Sequence, residues 1–240
     1  MKKAIIIGAS SGIGRALSKV LSENGYTLGL TARRIPLLAE LQKELRNHSL
    51  IQEMDVSQIS KTMAELENLI KKMEGVDLIV INAGIRHTNE HFGWQEELST
   101  FNTNIIGFAA LANVALKHFI QQKSGHLVGI SSIASLRGSP RSPAYNASKA
   151  FESNYLEGLR LKAIKTGFPI FVTDIRPGLV DTAIIKDGLR LFWVASPEKA
   201  ARQIFKAIQR RKKRVYITKR WRLVAWLMKI LPDSLYRRGY

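Results

Sequence analysis

The chain has 240 residues, 45% of them apolar, enough for one domain with a real core or one domain plus an appendage. It has no cysteine, which excludes disulfides, a thiolate nucleophile and thiolate metal sites, and fits a reducing compartment. The net charge of +18 is uneven: from Lys199 onwards fourteen Lys or Arg face one acid, Asp233, so that stretch holds +13 and the first 198 residues only +5. A strongly basic end on a mildly basic body points to an anionic partner for that end. The opening MKKAIIIGAS leaves too few apolar residues for a signal-peptide core, and no uninterrupted apolar run approaches the ~20 residues of a membrane-spanning helix.

Lys3 to Ile7 predicts a first strand, running into Gly8-Ala9-Ser10-Ser11-Gly12-Ile13-Gly14 and a helix over 15–24 that stops at Gly25. Strand, glycine-rich turn and helix together read as a dinucleotide site. The turn lets backbone approach a pyrophosphate, and the helix N-terminus offers free N–H groups and a positive dipole end. The spacing is Gly-x-x-x-Gly-x-Gly rather than the commoner Gly-x-Gly-x-x-Gly, and an ordinary tight connection is the bland alternative. The next strand, Thr27 to Thr31, ends at Ala32-Arg33-Arg34, where an acid would bind the ribose 2′-hydroxyl of NAD. Two arginines stand there instead. They favour the 2′-phosphate of NADP, with Arg33 ahead of Arg34, over a solvated pair in a loop.

A helix over 36–46 leads to a third strand, 50–54, which ends at Asp55-Val56. A helix over 57–73 leads to an apolar fourth strand, 76–81, which ends at the small residues Asn82-Ala83-Gly84. His87 and His91 in the following polar loop invite a metal reading. Glu90 is not where a His-Glu-x-x-His motif needs it and no further ligand converges, so no metal is expected. A long helix is expected over 97–122, with Asn102 and Asn104 near its start; such asparagines either cap, face solvent or belong to a site.

His126 to Ser131 reads as a fifth strand, with Ser132 just past its carboxyl end, and a helix is expected to begin near Tyr145. Tyr145 and Lys149, four apart, then share one helix face. An ammonium one turn from a phenol favours the phenolate, so that the tyrosine can exchange a proton with a substrate oxygen near neutral pH. Ser132 is placed to hydrogen-bond the same oxygen. Taken alone, Tyr-x-x-x-Lys also occurs on ordinary solvated helix faces. A sixth strand, 169–175, ends at Arg176-Pro177-Gly178-Leu179-Val180-Asp181-Thr182. An irregular apolar segment over 183–196 follows (Ile184, Ile185, Leu189, Leu191, Phe192, Trp193). Ser196-Pro197-Glu198 then starts a helix reaching Arg211, and 214–218 is a last strand.

Alternating strands and helices make the fold class α/β, a doubly wound, mainly parallel sheet with helices on both faces. In motif order and spacing the chain resembles the short-chain dehydrogenase/reductase family. The resemblance rests on the glycine motif at 8–14, Asn82-Ala83-Gly84, Asn104, Ser132 thirteen residues before Tyr145, Lys149 and Pro177-Gly178, and covers residues 3–218. It implies a Rossmann-type sheet of seven strands and hydride transfer between NADP(H) and a carbonyl or alcohol. Tyr145 would be general acid or base. Lys149 would assist it and bind the nicotinamide ribose, Ser132 would orient the carbonyl, and Asn104 would hold a water linking Lys149 to solvent. Gly8, Ser10, Ser11, Gly12, Ile13, Gly14, Asn82, Ala83 and Gly84 would line the cofactor, Asp55 and Val56 would meet the adenine, and Pro177, Gly178, Val180 and Thr182 would approach the nicotinamide. Two positions depart: Ile7 and Ile81 stand where members often carry Thr and Asn. The resemblance also implies a homodimer or homotetramer built on the helices around 97–122 and 145–166.

Beyond the catalytic domain of residues 1–218 lies an extension, 219–240, in which KRWRLVAWLMKIL precedes Pro232. Tryptophan and leucine among cations is the composition of a helix lying in a membrane interface, too short to span, and the basic cluster at 210–214 adds attraction to anionic lipid. A helix packed over the pocket and an oligomer contact are the alternatives, whereas nucleic-acid binding lacks a matching fold element. The expected location is the cytoplasm, with peripheral contact to the inner face of a membrane, and the expected substrate is lipophilic. The competing functional class is an NADP(H)-binding regulator with little turnover.

Overall fold

The computed structural model describes residues 2–183 and 193–236. Most of the irregular apolar segment, including Ile184, Ile185, Leu189, Leu191 and Phe192, and the final Arg237, Arg238 and Tyr240 lie outside the described residues. The β-branched and leucine-rich runs form β1 (Lys2–Ile7), β2 (Tyr26–Ala32), β3 (Ser49–Glu53), β4 (Leu78–Ile81), β5 (Gly125–Ile130), β6 (Ile170–Pro177) and β7 (Arg214–Ile217). The helices are α1 (Gly12–Glu23), α2 (Ile35–Glu44), α3 (Ile59–Lys72), α4 (Trp94–Phe101), α5 (Phe108–Gln122), α6 (Pro143–Lys165), α7 (Pro197–Gln209), α8 (Trp221–Ile230) and the single turn α9 (Asp233–Tyr236).

The seven strands pair in the order β3-β2-β1-β4-β5-β6-β7, each neighbouring pair parallel. The order reverses between β1 and β4, which opens a crevice at the carboxyl ends of those strands. Strand alternation sends Ala4 and Ile6 of β1 into a core with α1, α2 and α7, and Ile5 and Ile7 into a second core with α3, α5 and α6. Burial on both faces is why these strands read as unbroken apolar runs. Ile7 and Ile81, the two departures noted above, are both buried in the second core, so each exchanges a polar contact for packing.

Three boundaries differ informatively from the sequence reading. Helix α1 starts at Gly12 rather than Arg15, so its free N–H groups lie inside the glycine motif itself. The helix expected from Glu97 starts at Trp94 and is broken by one π-helical turn, Asn102–Gly107, between α4 and α5. The break has a steric partner: a Cβ at Gly107 would stand 2.2 Å from the Val56 carbonyl oxygen. From Trp94 to Gln122 this is also a helix long and apolar enough to cross a membrane by length and composition, but just over half of its most apolar window is buried inside the fold. Helix α6 begins two residues before Tyr145, at Pro143. Elsewhere the predicted and observed ends agree to about two residues, and Ser196 caps α7 by accepting from the Lys199 amide.

Candidate active site

A cleft of about 780 Å³ opens at the crevice between β1 and β4. At one end is the turn after β1. Gly8 has φ +90, a conformation L side chains rarely adopt, and the Asn82 side-chain amide donates to its carbonyl at 2.8 Å. A Cβ on Gly14 would stand 2.2 Å from that same oxygen, so helix and turn can close only with glycine there. Gly8, Ser10, Ser11, Gly12, Ile13, Asn82, Ala83 and Gly84 all line the cleft, whereas Gly14 stands behind the wall they make. Arg33 and Arg34, at the end of β2, line the same end. The Arg34 guanidinium donates to Ser10 Oγ at 3.1 Å and Ser11 Oγ at 3.0 Å, so of the two it is Arg34 that reaches the turn. Asp55 and Val56 follow β3 into the wall, the Asp55 carboxylate accepting from the Ser57 amide and hydroxyl.

At the other end stand Ser132, Tyr145 and Lys149. Ser132 is held extended beyond β5 and begins a single 3₁₀ turn, Ile133–Leu136. Its hydroxyl oxygen accepts from the Ala134 amide at 3.1 Å, a bond that leaves its own proton free to be donated. Pro143 at the first turn of α6 fixes the helix start, and the helix then brings Tyr145 and Lys149 onto one face, with Lys149 Nζ 5.8 Å from the Tyr145 ring centre. A Cβ at Gly84 would lie 3.3 Å from Lys149 Nζ and 3.4 Å from Asn104 Oδ1, which places β4, the π-turn and α6 at one point. Asn104 is fully buried behind the cleft rather than lining it. Its amide clamps Ile85, accepting from the amide at 2.9 Å and donating to the carbonyl at 2.8 Å, and also donates to Ser148 Oγ at 3.0 Å. Pro177, Gly178, Val180 and Thr182 close the cleft from the β6 side.

Sequence reasoning missed a second charged layer. Glu152, fully buried, accepts from Lys149 Nζ with both carboxylate oxygens, at 2.8 and 2.9 Å, and the same ammonium donates to the Ile130 carbonyl at 3.1 Å. Burial pushes the Glu152 carboxyl up to about 7 against the pull of Lys149, and that carboxylate, with Tyr145, outweighs burial to hold Lys149 above its ordinary value. Beside it, fully buried Asp174 accepts from Ser131, Ser153, Arg176 and Arg214, tying β5, β6, β7 and α6 together. Local spacing marks neither one: a glutamate on a helix is ordinarily solvated, and although Asp174 sits inside an apolar strand run, only the packing around both shows that they are buried. Also missed was Arg86, whose guanidinium stands 5.9 Å from the Tyr145 ring centre and donates to Ser142 Oγ at 3.2 Å. Among the described residues no three His, Cys, Asp or Glu side chains are grouped so as to hold a metal ion.

The extension covers this end of the cleft. Trp221 is buried where Gly178 leaves room; a Cβ there would stand 2.1 Å from the indole. Trp221, Met228 and Tyr236 all line the cleft. The Tyr236 hydroxyl donates to the Gly138 carbonyl at 2.8 Å, and the neighbouring Arg137 makes most of the other polar contacts to the extension. Arg137 donates to the carbonyls of Met228 (3.1 Å) and Leu231 (2.9 Å), pairs with Asp233 and stacks 4.4 Å from the Tyr236 ring centre. Its own carbonyl accepts from Asn146, the neighbour of Tyr145, at 2.7 Å.

A family model described as short chain dehydrogenase matches residues 2–190. The chain belongs to that family. Among curated relatives of this short-chain dehydrogenase, an uncharacterised oxidoreductase of Myxococcus xanthus is 32% identical over 98% of this chain and 94% of the relative. One of Mycobacterium tuberculosis is 31% identical over 99% of this chain and 96% of its own. Two solved structures have the same fold: a short-chain dehydrogenase from Sphingobium yanoikuyae in complex with NADPH (TM-score 0.81, 22% identity, 98% of each chain) and a bulky-bulky ketone specific alcohol dehydrogenase from Comamonas testosteroni (TM-score 0.79, 22% identity, 98% of this chain and 96% of the other). At such identity the likeness is one of fold, and the short-chain dehydrogenase sheet is the one both share.

Proposed function

We propose that this short-chain dehydrogenase is an oxidoreductase that uses NADP(H) to interconvert a lipophilic carbonyl and its alcohol. The observation that carries the reading is that Ser132, Tyr145 and Lys149 converge in the same cleft as the glycine turn and the arginine pair. The residues fit the dinucleotide: Gly8, Ser10, Ser11, Gly12 and Ile13 line the cleft where α1 begins, and no acid stands at the end of β2 to prefer a free 2′-hydroxyl. Arg33 and Arg34 would hold the 2′-phosphate, the free amides of α1 the pyrophosphate, and Lys149 the nicotinamide ribose. When bound, NADP(H) supplies or takes up the hydride. In reduction Ser132 donates a hydrogen bond to the substrate oxygen, and the Tyr145 hydroxyl gives that oxygen its proton as the carbon–oxygen double bond becomes single. Lys149 stabilises the phenolate left behind until solvent returns the proton, and in oxidation the same groups act in reverse.

The substrate class rests on the extension, whose Trp221, Met228 and Tyr236 line the Tyr145 end of the cleft and so join a pocket built on the domain of residues 1–218. A structural neighbour described as specific for bulky-bulky ketones is in keeping with such a pocket. Assembly as a homo-oligomer is supported by Ile106, Leu161 and Ile164, all exposed on the helices named for that role.

The test is NADPH oxidation followed at 340 nm across apolar ketones and aldehydes, with NADH beside it. Tyr145→Phe is expected to lower turnover by about 10²–10⁴-fold while NADPH still binds. Arg33→Ala combined with Arg34→Ala is expected to raise the KM for NADPH about tenfold or more and leave that for NADH nearly unchanged. Tight NADPH binding with no turnover on any substrate, in wild type and variant alike, would replace the reductase with a nucleotide-binding regulator.

A further inference from the structure

Helix α8 has two apolar faces, and the fold uses one. Trp221, Ala225 and Met228, spaced i, i+4, i+7, point inward, the first two buried and the first and third lining the cleft. Leu223, Trp226, Leu227 and Ile230, spaced i, i+3, i+4, i+7, form the opposite face and are exposed by 69%, 63%, 49% and 56%. Arg222 and Lys229, seven apart, share one flank of that face, and Arg220 at its start stands 5.8 Å over the ring of Trp193, beside exposed Val194. Four large apolar side chains on one ten-residue helix, edged by cations, are not what a solvated surface helix carries.

We propose that the outer face of α8 docks this protein on an anionic phospholipid bilayer, with the extension between the cleft and the membrane. The occupant follows from charge. A second copy meeting this face across a two-fold axis would set Arg220, Arg222 and Lys229 against their own counterparts on a chain of net charge +18, with Asp233, the acid of the extension, already paired to Arg137. A nucleic acid would match the cations and leave the leucines and Trp226 unburied. An anionic bilayer answers both: its headgroups meet the cations at the level where tryptophan settles, and its acyl boundary takes the apolar face. The helix is about 15 Å long, so it lies in the interface and does not cross. Arg137 fixes α8 to the α6 side of the cleft through the Met228 and Leu231 carbonyls, so a docked helix orients the whole domain. The basic cluster Arg210–Lys213 does not share this surface. It precedes β7 while α8 follows it, so the two lie at opposite ends of that strand, and the added lipid attraction expected of the cluster falls on another edge of the sheet. That the bilayer also delivers the substrate rests on the reductase reading; docking itself does not.

Full-length protein is sedimented with phosphatidylcholine vesicles with and without phosphatidylglycerol, at low and high salt. Wild type is expected to pellet with the anionic vesicles at low salt, with a blue shift of tryptophan emission that Trp226→Phe removes. Leu223→Ser combined with Trp226→Ser should lower partitioning about tenfold or more, and Arg222→Glu combined with Lys229→Glu should abolish the preference for anionic lipid. Unchanged turnover of a soluble ketone by these surface variants confirms that each is folded, and vesicle binding is read without any turnover, so failure of docking and failure of the reductase reading are separate results. Three outcomes overturn the proposal: wild type stays in the supernatant with both vesicles; it pellets equally when Leu223 and Trp226 are serine; or these substitutions instead break a concentration-dependent oligomer or a nucleic-acid complex while vesicles bind nothing.

Discussion

Glu152 shows how much a single buried residue decides. Lys149 sits 4% exposed with two carboxylate oxygens on its ammonium. Glu152→Ala leaves that cation buried and unpaired, and is expected to cost about 3–5 kcal/mol in chemical denaturation, against a smaller loss for Glu152→Gln, which keeps one acceptor. The pH dependence has a definite sign. The folded carboxyl lies near 7, above its ordinary 4.5, so its contribution is complete below pH 4.5 and is lost as the pH rises through 7. Wild type compared with Glu152→Gln should therefore lose up to about 3 kcal/mol of relative stability between pH 4.5 and 7, and a flat difference would show that the carboxyl is ionised throughout. Tyr145 and Lys149 were legible at this scale because their spacing is local, and Ser132 because it follows the end of a readable strand. Glu152 was not, because a glutamate on a helix is normally solvated, and only packing against β5 makes it buried.

At the scale of elements, the extension is the part whose position depends most on single contacts. It is held over the cleft by Trp221 in the space left at Gly178 and by Arg137. Arg137→Ala removes two carbonyl contacts, an ion pair and the Tyr236 stack together, but no part of the reacting centre. It should unpin α8, making the bonds after Thr218 accessible to limited proteolysis and raising the KM for an apolar ketone several-fold, with kcat changed little; equal cleavage of wild type and variant would show that the pin is not needed. The sequence identified a short amphipathic helix here and left three roles open, membrane contact, lid and oligomer contact. The first two roles do not compete for the same side chains: Trp221 and Trp226, both aromatic and five apart, face opposite sides of one helix. Likewise Asn104 was singled out in the sequence, but the π-turn that aims it at Ile85 was not, since a π-turn depends on a remote contact, the Val56 carbonyl against Gly107.

For the whole molecule, the doubly wound sheet places every strand's carboxyl end on one side, and the site gathers there. The far side of the sheet sets a pH limit of its own. His126, at the start of β5, is pushed down to about 4 by burial and by the nearby Arg211 charge, and its Nε2 lies 2.8 Å from Thr173 Oγ1. Thr173 spends its proton on the Lys212 carbonyl, so Nε2 must carry the hydrogen of the neutral ring. A depressed histidine stabilises the fold fully above its ordinary 6.5, and that stability is lost as the pH falls through 4. His126→Gln should remove an acid destabilisation of about 3 kcal/mol between these values, measured as the difference in denaturation midpoint at pH 4 and pH 7. Glu152 acts oppositely over much of the same range, so each is visible only against its own variant. By itself the sequence determined the strand-and-helix alternation, the glycine turn, the arginines at the end of β2 and the tyrosine–lysine pair, because each is a matter of residue type at short spacing. Only the tertiary structure decided that Asp174 and Glu152 are buried, that Arg137 holds the extension, and which face of α8 is left outward. Each of these depends on which remote backbone arrives alongside, and spacing along the chain carries no record of that.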